Sequence, residues 1–350
     1  LTANSLLKIS GEYVNFLDYP GWQYLTHVLF MGLTCDDQGN VKYVGEPNIW
    51  VPLLNSVRRK YPYIKVFLGF PPLFNSKLVK YYEQDKFWDS LLTCIMGKNH
   101  VRYDGFLMNI EANRVLPDSF CASLFHLKTY FPVWVVINNK RDAYPLSFIE
   151  SLCRATDRII MNSYGYVKYH YDMDSNEYLE FKYNSNHAGR EQVGHVLPLP
   201  ESALVDFNAT FASYPSIPNR SIVMGVDTCG IRFQLNEKGY AQNLWMVPLH
   251  EIERLKITGT KVGNRTYKFR EIYDKDTISS LLKLAGDREI ISFDNYRVRK
   301  SKLALACKLG GVCIGELVYD MNPLHPRGLL QLSYIKMAGN LDNTKNVCSL

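Results

Sequence analysis

The chain has 350 residues, 40 Lys and Arg against 34 Asp and Glu, a net charge of +6 and 47% hydrophobic residues, an ordinary globular composition long enough to bury one large core. The basic excess falls short of the clustered charge that nucleic-acid or anionic-membrane binding needs, and no apolar run approaches the roughly 18 residues of a membrane span. Eight cysteines without a C-x-x-C pair or a histidine at ligand spacing argue against a zinc site, and neither a metal nor a cofactor is expected.

In chain order, short β-rich apolar runs predict strands at Tyr13–Phe16, His27–Leu33, Ile64–Phe70, Gly105–Glu111, Val133–Ile137, Arg158–Ser163, Ser221–Val226 and Gly311–Leu317. Most are apolar on both faces, as parallel strands between a barrel interior and an outer ring of helices should be. The segments between them have helical spacing, among them "WVPLLNSVRRKY" and "KLVKYYEQDKFWDSLLTCIM". An eight-stranded α/β barrel, a (β/α)8 TIM barrel, is the economical reading.

After the sixth strand, "VKYHYDMDSNEYLEFKY" reads as a tyrosine-rich hairpin. Its Asp172, Asp174 and Asn176 imitate the start of a calcium loop, but Glu177 and Tyr183 occupy the sixth and twelfth positions and rule that motif out. The interval between the seventh and eighth strands is too long for one connection. Its "NLWMVPLHEIERL" looks helical and "TGTKVGNRTYKFREIYD" has hairpin composition, so a small α+β insertion is expected over 233–293, within a barrel of 1–232 and 294–340. Beyond it, Arg297, Arg299, Lys300 and Lys302 read as the solvated face of a helix.

The fourth predicted strand carries the chemistry. In "YDGFLMNIEAN", alternation puts Phe106, Met108 and Ile110 on one face and Leu107, Asn109 and Glu111 on the other. The all-apolar set should meet the helices. The second set then points into the barrel and climbs to its C-terminal mouth, where Glu111 has the placement of a general acid or of a rim carboxylate paired with a cation. Tyr13, Trp22, Phe70 and Trp134 are aromatics on or near strands for which core packing is the expected role.

This ladder resembles the glycoside hydrolase family 18 signature D-G-x-D-x-D-x-E, with Asp104, Gly105, Phe106 and Glu111 in register. Further stretches are similar in the right order: "LTHVLFMGLTCDDQGNVKY", "LLNSVRRKYPYIKVFLGF", "SIVMGVDTCGIRFQL" and "EIISFDNYRVRKSKLALACKLGGVCIGELVYDM". The resemblance implies the barrel, the insertion as the chitinase type, and a sugar site at the mouth in which the substrate's acetamido oxygen attacks the anomeric carbon.

Departures from the family pattern fall on that site. Asn109 takes the place of the Asp that orients the acetamido group, and Leu107 that of a deeper Asp. A neutral amide supplies no charge against a developing cation and cannot raise the pKa of Glu111. In "MNSYGY" Ser163 stands in register with the family's sixth-strand Tyr, which leaves Tyr164 one residue late, and Gly315 stands where an aromatic floor is usual. The family's disulfide between the first two strands lacks its cysteines, Glu12 and Leu25 standing near the expected places. The catalytic candidates are therefore Glu111 and Asn109, as remnants or in an altered role, and the binding candidates are Asp104, Ser163, Tyr164, Tyr166 and Gly315.

The expected function is a chitinase-like protein that binds an N-acetylglucosamine-containing glycan or a protein ligand without hydrolysing chitin. The alternative is an active endo-β-N-acetylglucosaminidase, because "DGFLMNIE" also resembles the Asn-x-Glu pair of glycoside hydrolase family 85. Sequons at Asn208, Asn219 and Asn264, together with a start at Leu1 that fits a removed leader or a chosen boundary, point to a secreted or vacuolar glycoprotein, secreted being the expectation.

Overall fold

A computed structural model describes residues 6–9, 12–44, 47–70, 78–96, 103–110, 116, 118–138, 144–163, 214–235, 241–262, 264–274, 279–284, 289–315 and 333. The chain opens with β1 (Leu6–Ile9) and β2 (Glu12–Asn15), paired antiparallel with Ile9 opposite Glu12. Then follow β3 (His27–Phe30), the hairpin β4 (Leu33–Cys35) and β5 (Val41–Tyr43), α1 (Pro47–Lys60), β6 (Lys65–Gly69) and α2 (Asp85–Met96). Next come β7 (Gly105–Ile110), α3 (Asp118–Lys128), β8 (Val133–Asn138), α4 (Leu146–Ala155), β9 (Arg158–Asn162) and β10 (Ile222–Val226).

The strands β18-β10-β9-β8-β7-β6-β3, closed by β18 (Val312–Ile314), form one sheet in that order with every pairing parallel. Strand and helix alternate along it, and the architecture is that of a (β/α)8 TIM barrel. Among the described residues the sheet has seven strands. The segment expected to be the first stave pairs with β1 instead, because only Ser10 and Gly11 separate the two runs, a spacing that selects a tight hairpin.

Two separate cores follow from strand alternation. Phe106, Met108 and Ile110 of β7, with Val133, Val135, Ile159, Met161, Ile222 and Met224, pack between sheet and helices. Leu107, Val136, Ile160 and Val223 form the interior cluster, joined by Leu29, Met31, Trp134 and Cys313. The expected faces of the 105–110 ladder are those observed. Lower in the barrel, Trp134 lies 4.7 Å from both His27 and Phe67, and burial holds the His27 imidazole below its ordinary pKa. Phe70 and Trp22 are core residues, 0% and 4% exposed.

Between β10 and the last barrel strand the chain builds an antiparallel sheet from β11 (Cys229–Leu235), β12 (Ala241–Pro248), β15 (Phe269–Asp274), β16 (Ser279–Leu284) and β17 (Glu289–Ser292), in the order β12-β11-β17-β16-β15. It carries α5 (Leu249–Thr258) and the hairpin β13 (Thr260–Val262) and β14 (Arg265–Tyr267). "NLWMVP", expected to be helical, is strand; the helix starts only after Pro248, which fits a residue that cannot continue a ladder but tolerates the helix entrance. Ile231 pairs with Ser292, so the unit leaves and re-enters the barrel at adjacent points.

The return path is α6 (Tyr296–Ala306), capped by Asn295, whose side chain accepts from the Val298 N–H at 2.9 Å. Here the charge run departs from expectation. Arg297 and Lys300 are exposed, but Arg299 and Lys302 are 1% and 0% exposed, Lys302 reaching the Ser163 carbonyl beside the barrel and Arg299 lying 3.7 Å from Glu253 of α5. No described helix is long and apolar enough to cross a membrane.

Candidate functional site at the C-terminal ends of the strands

Asn109 is the last inward-facing residue described on β7. It stands two residues beyond Leu107, pairs in register with Val136, and is 9% exposed above the apolar interior cluster. The amide therefore sits at the place where a barrel presents reacting groups, over a floor without charge. Glu111, Tyr164 and Tyr166 lie outside the described residues.

Asp104 is not part of this site. It precedes β7 at the N-terminal end of the barrel, where its carboxylate pairs with Arg58 at 3.0 Å and accepts from the Val66 N–H at 2.9 Å. The carboxylate joins α1 and β6 to the strand, a structural task at the opposite end from the mouth.

Ser163 is also removed from the ligand-facing set. Its N–H and hydroxyl both donate to the Gly225 carbonyl, at 2.8 and 2.7 Å, and its own carbonyl accepts from Lys302 Nζ at 2.7 Å. The residue is 0% exposed with its groups engaged. Parity explains the correction. Ile160 belongs to the interior cluster and Met161 to the outer core, so Asn162, rather than Ser163, follows Ile160 on the inward face.

Asn162 pairs with Gly225 on β10, and Gly225 with Cys313 on β18. A side chain on Gly225 would run into Asn162 Oδ1, so the glycine leaves the space that the amide occupies. Gly315, just past β18, donates its N–H to the Val226 carbonyl at 2.9 Å and has Asp227 beside it. Asp227 follows β10, and its Oδ1 accepts from the N–H groups of Thr228 at 2.7 Å and Cys229 at 3.3 Å. Burial pushes its carboxyl up to about 6, with the charge of Asp294 adding to the shift while the two N–H groups and Lys302 oppose it.

Behind these strand ends lies a buried ion pair. Lys302 Nζ is 2.6 Å from Asp294 Oδ2 as well as bonded to Ser163, and Asp294 Oδ1 is a buried atom without a hydrogen-bond partner. Among the described residues no three His, Cys, Asp or Glu side chains converge as a metal site. Sequence reasoning missed Asn162, Asp227 and the Asp294–Lys302 pair. The available signal for Asn162 was that Arg158, Ile160 and Asn162 share one parity, with both polar residues of the strand on it.

No family model matches the sequence, and comparison with curated proteins finds no relative. Solved structures do match in fold. A group IV chitinase from Ostrinia furnacalis superposes with a TM-score of 0.69 at 17% identity, over 92% of this chain and 94% of that one. A class V chitinase from Nicotiana tobaccum, solved in complex with NAG4, gives 0.65 at 14% identity over 94% and 96%. A chitinase-like agglutinin from Robinia pseudoacacia gives 0.65 at 13% identity over 94% and 97%. The chain has the glycoside hydrolase family 18 chitinase-like fold.

Proposed function

We propose that this chitinase-like barrel binds an N-acetylglucosamine-containing glycan at its mouth and does not hydrolyse chitin. One observation carries the reading: Asn109, a neutral amide, faces inward above Leu107, where an acid ladder would be required. Substrate-assisted cleavage develops positive charge at the anomeric carbon, and in the family 18 pattern a carboxylate on this ladder stabilises it. The amide can still hydrogen-bond an acetamido group. That sugar-binding and sugar-cleaving proteins share this fold supports both halves of the reading without choosing the ligand, and a protein ligand at the mouth is the competing occupant.

The test compares the protein with Asn109→Asp and Glu111→Gln variants on chitin oligomers and on N-glycans. The expected result is saturable binding of chitotetraose, no release of shorter oligomers, and no activity gained by Asn109→Asp alone. Glycan cleavage that disappears in Glu111→Gln, by the hundredfold or more that general acid catalysis contributes, would establish the Asn-x-Glu enzyme instead. The sequons at Asn219 and Asn264, both on exposed residues, support a secreted glycoprotein.

A further inference from the structure

We propose that Asp227 and Asn162 form a polar subsite that receives hydroxyl groups of one neutral sugar residue, on the side left uncovered at Gly315. The proposal rests on the glycan-binding reading and names contacts that the sequence motifs do not supply. Asn162, Gly225 and Cys313 stand side by side across three adjacent strands. Asp227 and Gly315 come one inward step later on two of them, at the C-terminal ends. A Cβ on Gly315 would lie 3.3 Å from Asp227 Oδ1, so the carboxylate is covered on that side by nothing larger than hydrogen.

The carboxylate is held in place but incompletely served. Two backbone N–H groups orient Oδ1, and the nearby ammonium of Lys302 is already committed to Asp294 and Ser163. Among the described residues no Lys or Arg pairs with Asp227. Burial, with the charge of Asp294, raises its pKa despite the two N–H donors. Sugar hydroxyls are strong donors to a carboxylate, and the Asn162 amide, one inward step below on the adjacent strand, can both donate and accept, which suits vicinal hydroxyls. A phosphate or sulfate would meet repulsion, and one carboxylate with an amide is too few ligands for a divalent cation.

Isothermal titration of the full chain with chitotetraose tests this. Asp227→Asn keeps an acceptor for the Thr228 N–H while removing the charge, and Gly315→Ala crowds the carboxylate. Each should weaken binding about fivefold to tenfold, with the far-UV spectrum and cooperative melting retained. Asp294 and Lys302 are the charged groups facing Asp227, and both remain in the variants. Parent affinity should therefore fall as pH drops from 7 to 5, while Asp227→Asn stays flat. Parent binding with both variants unchanged would overturn the subsite and leave the glycan reading standing. No binding by the parent would overturn both. A deacetylated tetramer binding tenfold tighter than chitotetraose would replace the neutral sugar by a cationic one.

Discussion

Replacing Lys302 by methionine keeps the aliphatic length of the side chain and removes its ammonium. Two groups lose a partner at once. Asp294 Oδ2 loses a partner at 2.6 Å, its Oδ1 already has none, and the Ser163 carbonyl loses a donor at 2.7 Å. With the two ion-pair partners 0% and 5% exposed, water cannot replace what is lost. Breaking a buried pair from one side costs about 3–5 kcal/mol, against a total stability for a folded domain of about 5–15 kcal/mol. Urea unfolding followed by circular dichroism should therefore show a large drop in midpoint for Lys302→Met. A Lys302→Met/Asp294→Leu double variant should recover much of the loss, since it removes the stranded charge. The ammonium also lowers the Asp227 pKa, so in Lys302→Met the titration of Asp227 followed by NMR should move above about 6. A loss below about 1 kcal/mol, or a double variant worse than the sum of the singles, would refute the account of Lys302 as the cation that neutralises this interior.

Asp227 makes a signed prediction about pH. Its folded-state pKa of about 6 lies above the unfolded value near 4, so ionisation opposes folding above pH 6 and that penalty disappears below pH 4. Asp227→Asn should be more stable than the parent at pH 7.5 by at most about 3 kcal/mol, the difference closing as pH falls to 4; parallel pH–stability curves would contradict it. Asp104→Asn should lower the free energy of unfolding by about 1–3 kcal/mol through loss of the Arg58 pair and leave chitotetraose affinity unchanged, since the residue lies at the opposite end of the barrel. Expression through a secretory pathway should add glycans at Asn219 and Asn264, seen as a mass shift reversed by amidase treatment; unmodified asparagines in a secreted product would argue against the sequon reading.

Where residues alternate in chemistry, the sequence was legible. The inward placement of Leu107 and Asn109 followed from the strand's parity, since Asn109 breaks an otherwise apolar run and marks one face. The 158–162 strand had weaker marks, because its centre is apolar on both faces, as buried parallel strands are. Ser163 was placed by motif alignment, and a one-residue offset exchanged the inward and outward sets. Lys302 and Arg299 were misread because a charge run on a helix is ordinarily solvated; Lys302 is buried against Asp294 and the Ser163 carbonyl and Arg299 against Glu253 of α5, partners that the run itself does not encode. Asp227 stands alone in "GVDTCG", without a second polar residue at a telling spacing. Only the proximity of Gly315, 88 positions later, gives it meaning.

The pairing of Ile231 with Ser292 bears on how the barrel can close in time. Met224 and Val312 are neighbours in the finished sheet but far apart along the chain, so bringing them together early would require a long loop to close. Once the inserted sheet has formed, Ile231 and Ser292 are already adjacent, and the effective loop shortens roughly threefold, easing closure by about 1 kcal/mol. Where it forms first, the inserted sheet acts as an internal staple that favours docking of the last strand. On this view, substitutions in β11 or β17 slow barrel completion, whereas substitutions in β18 chiefly hasten its opening.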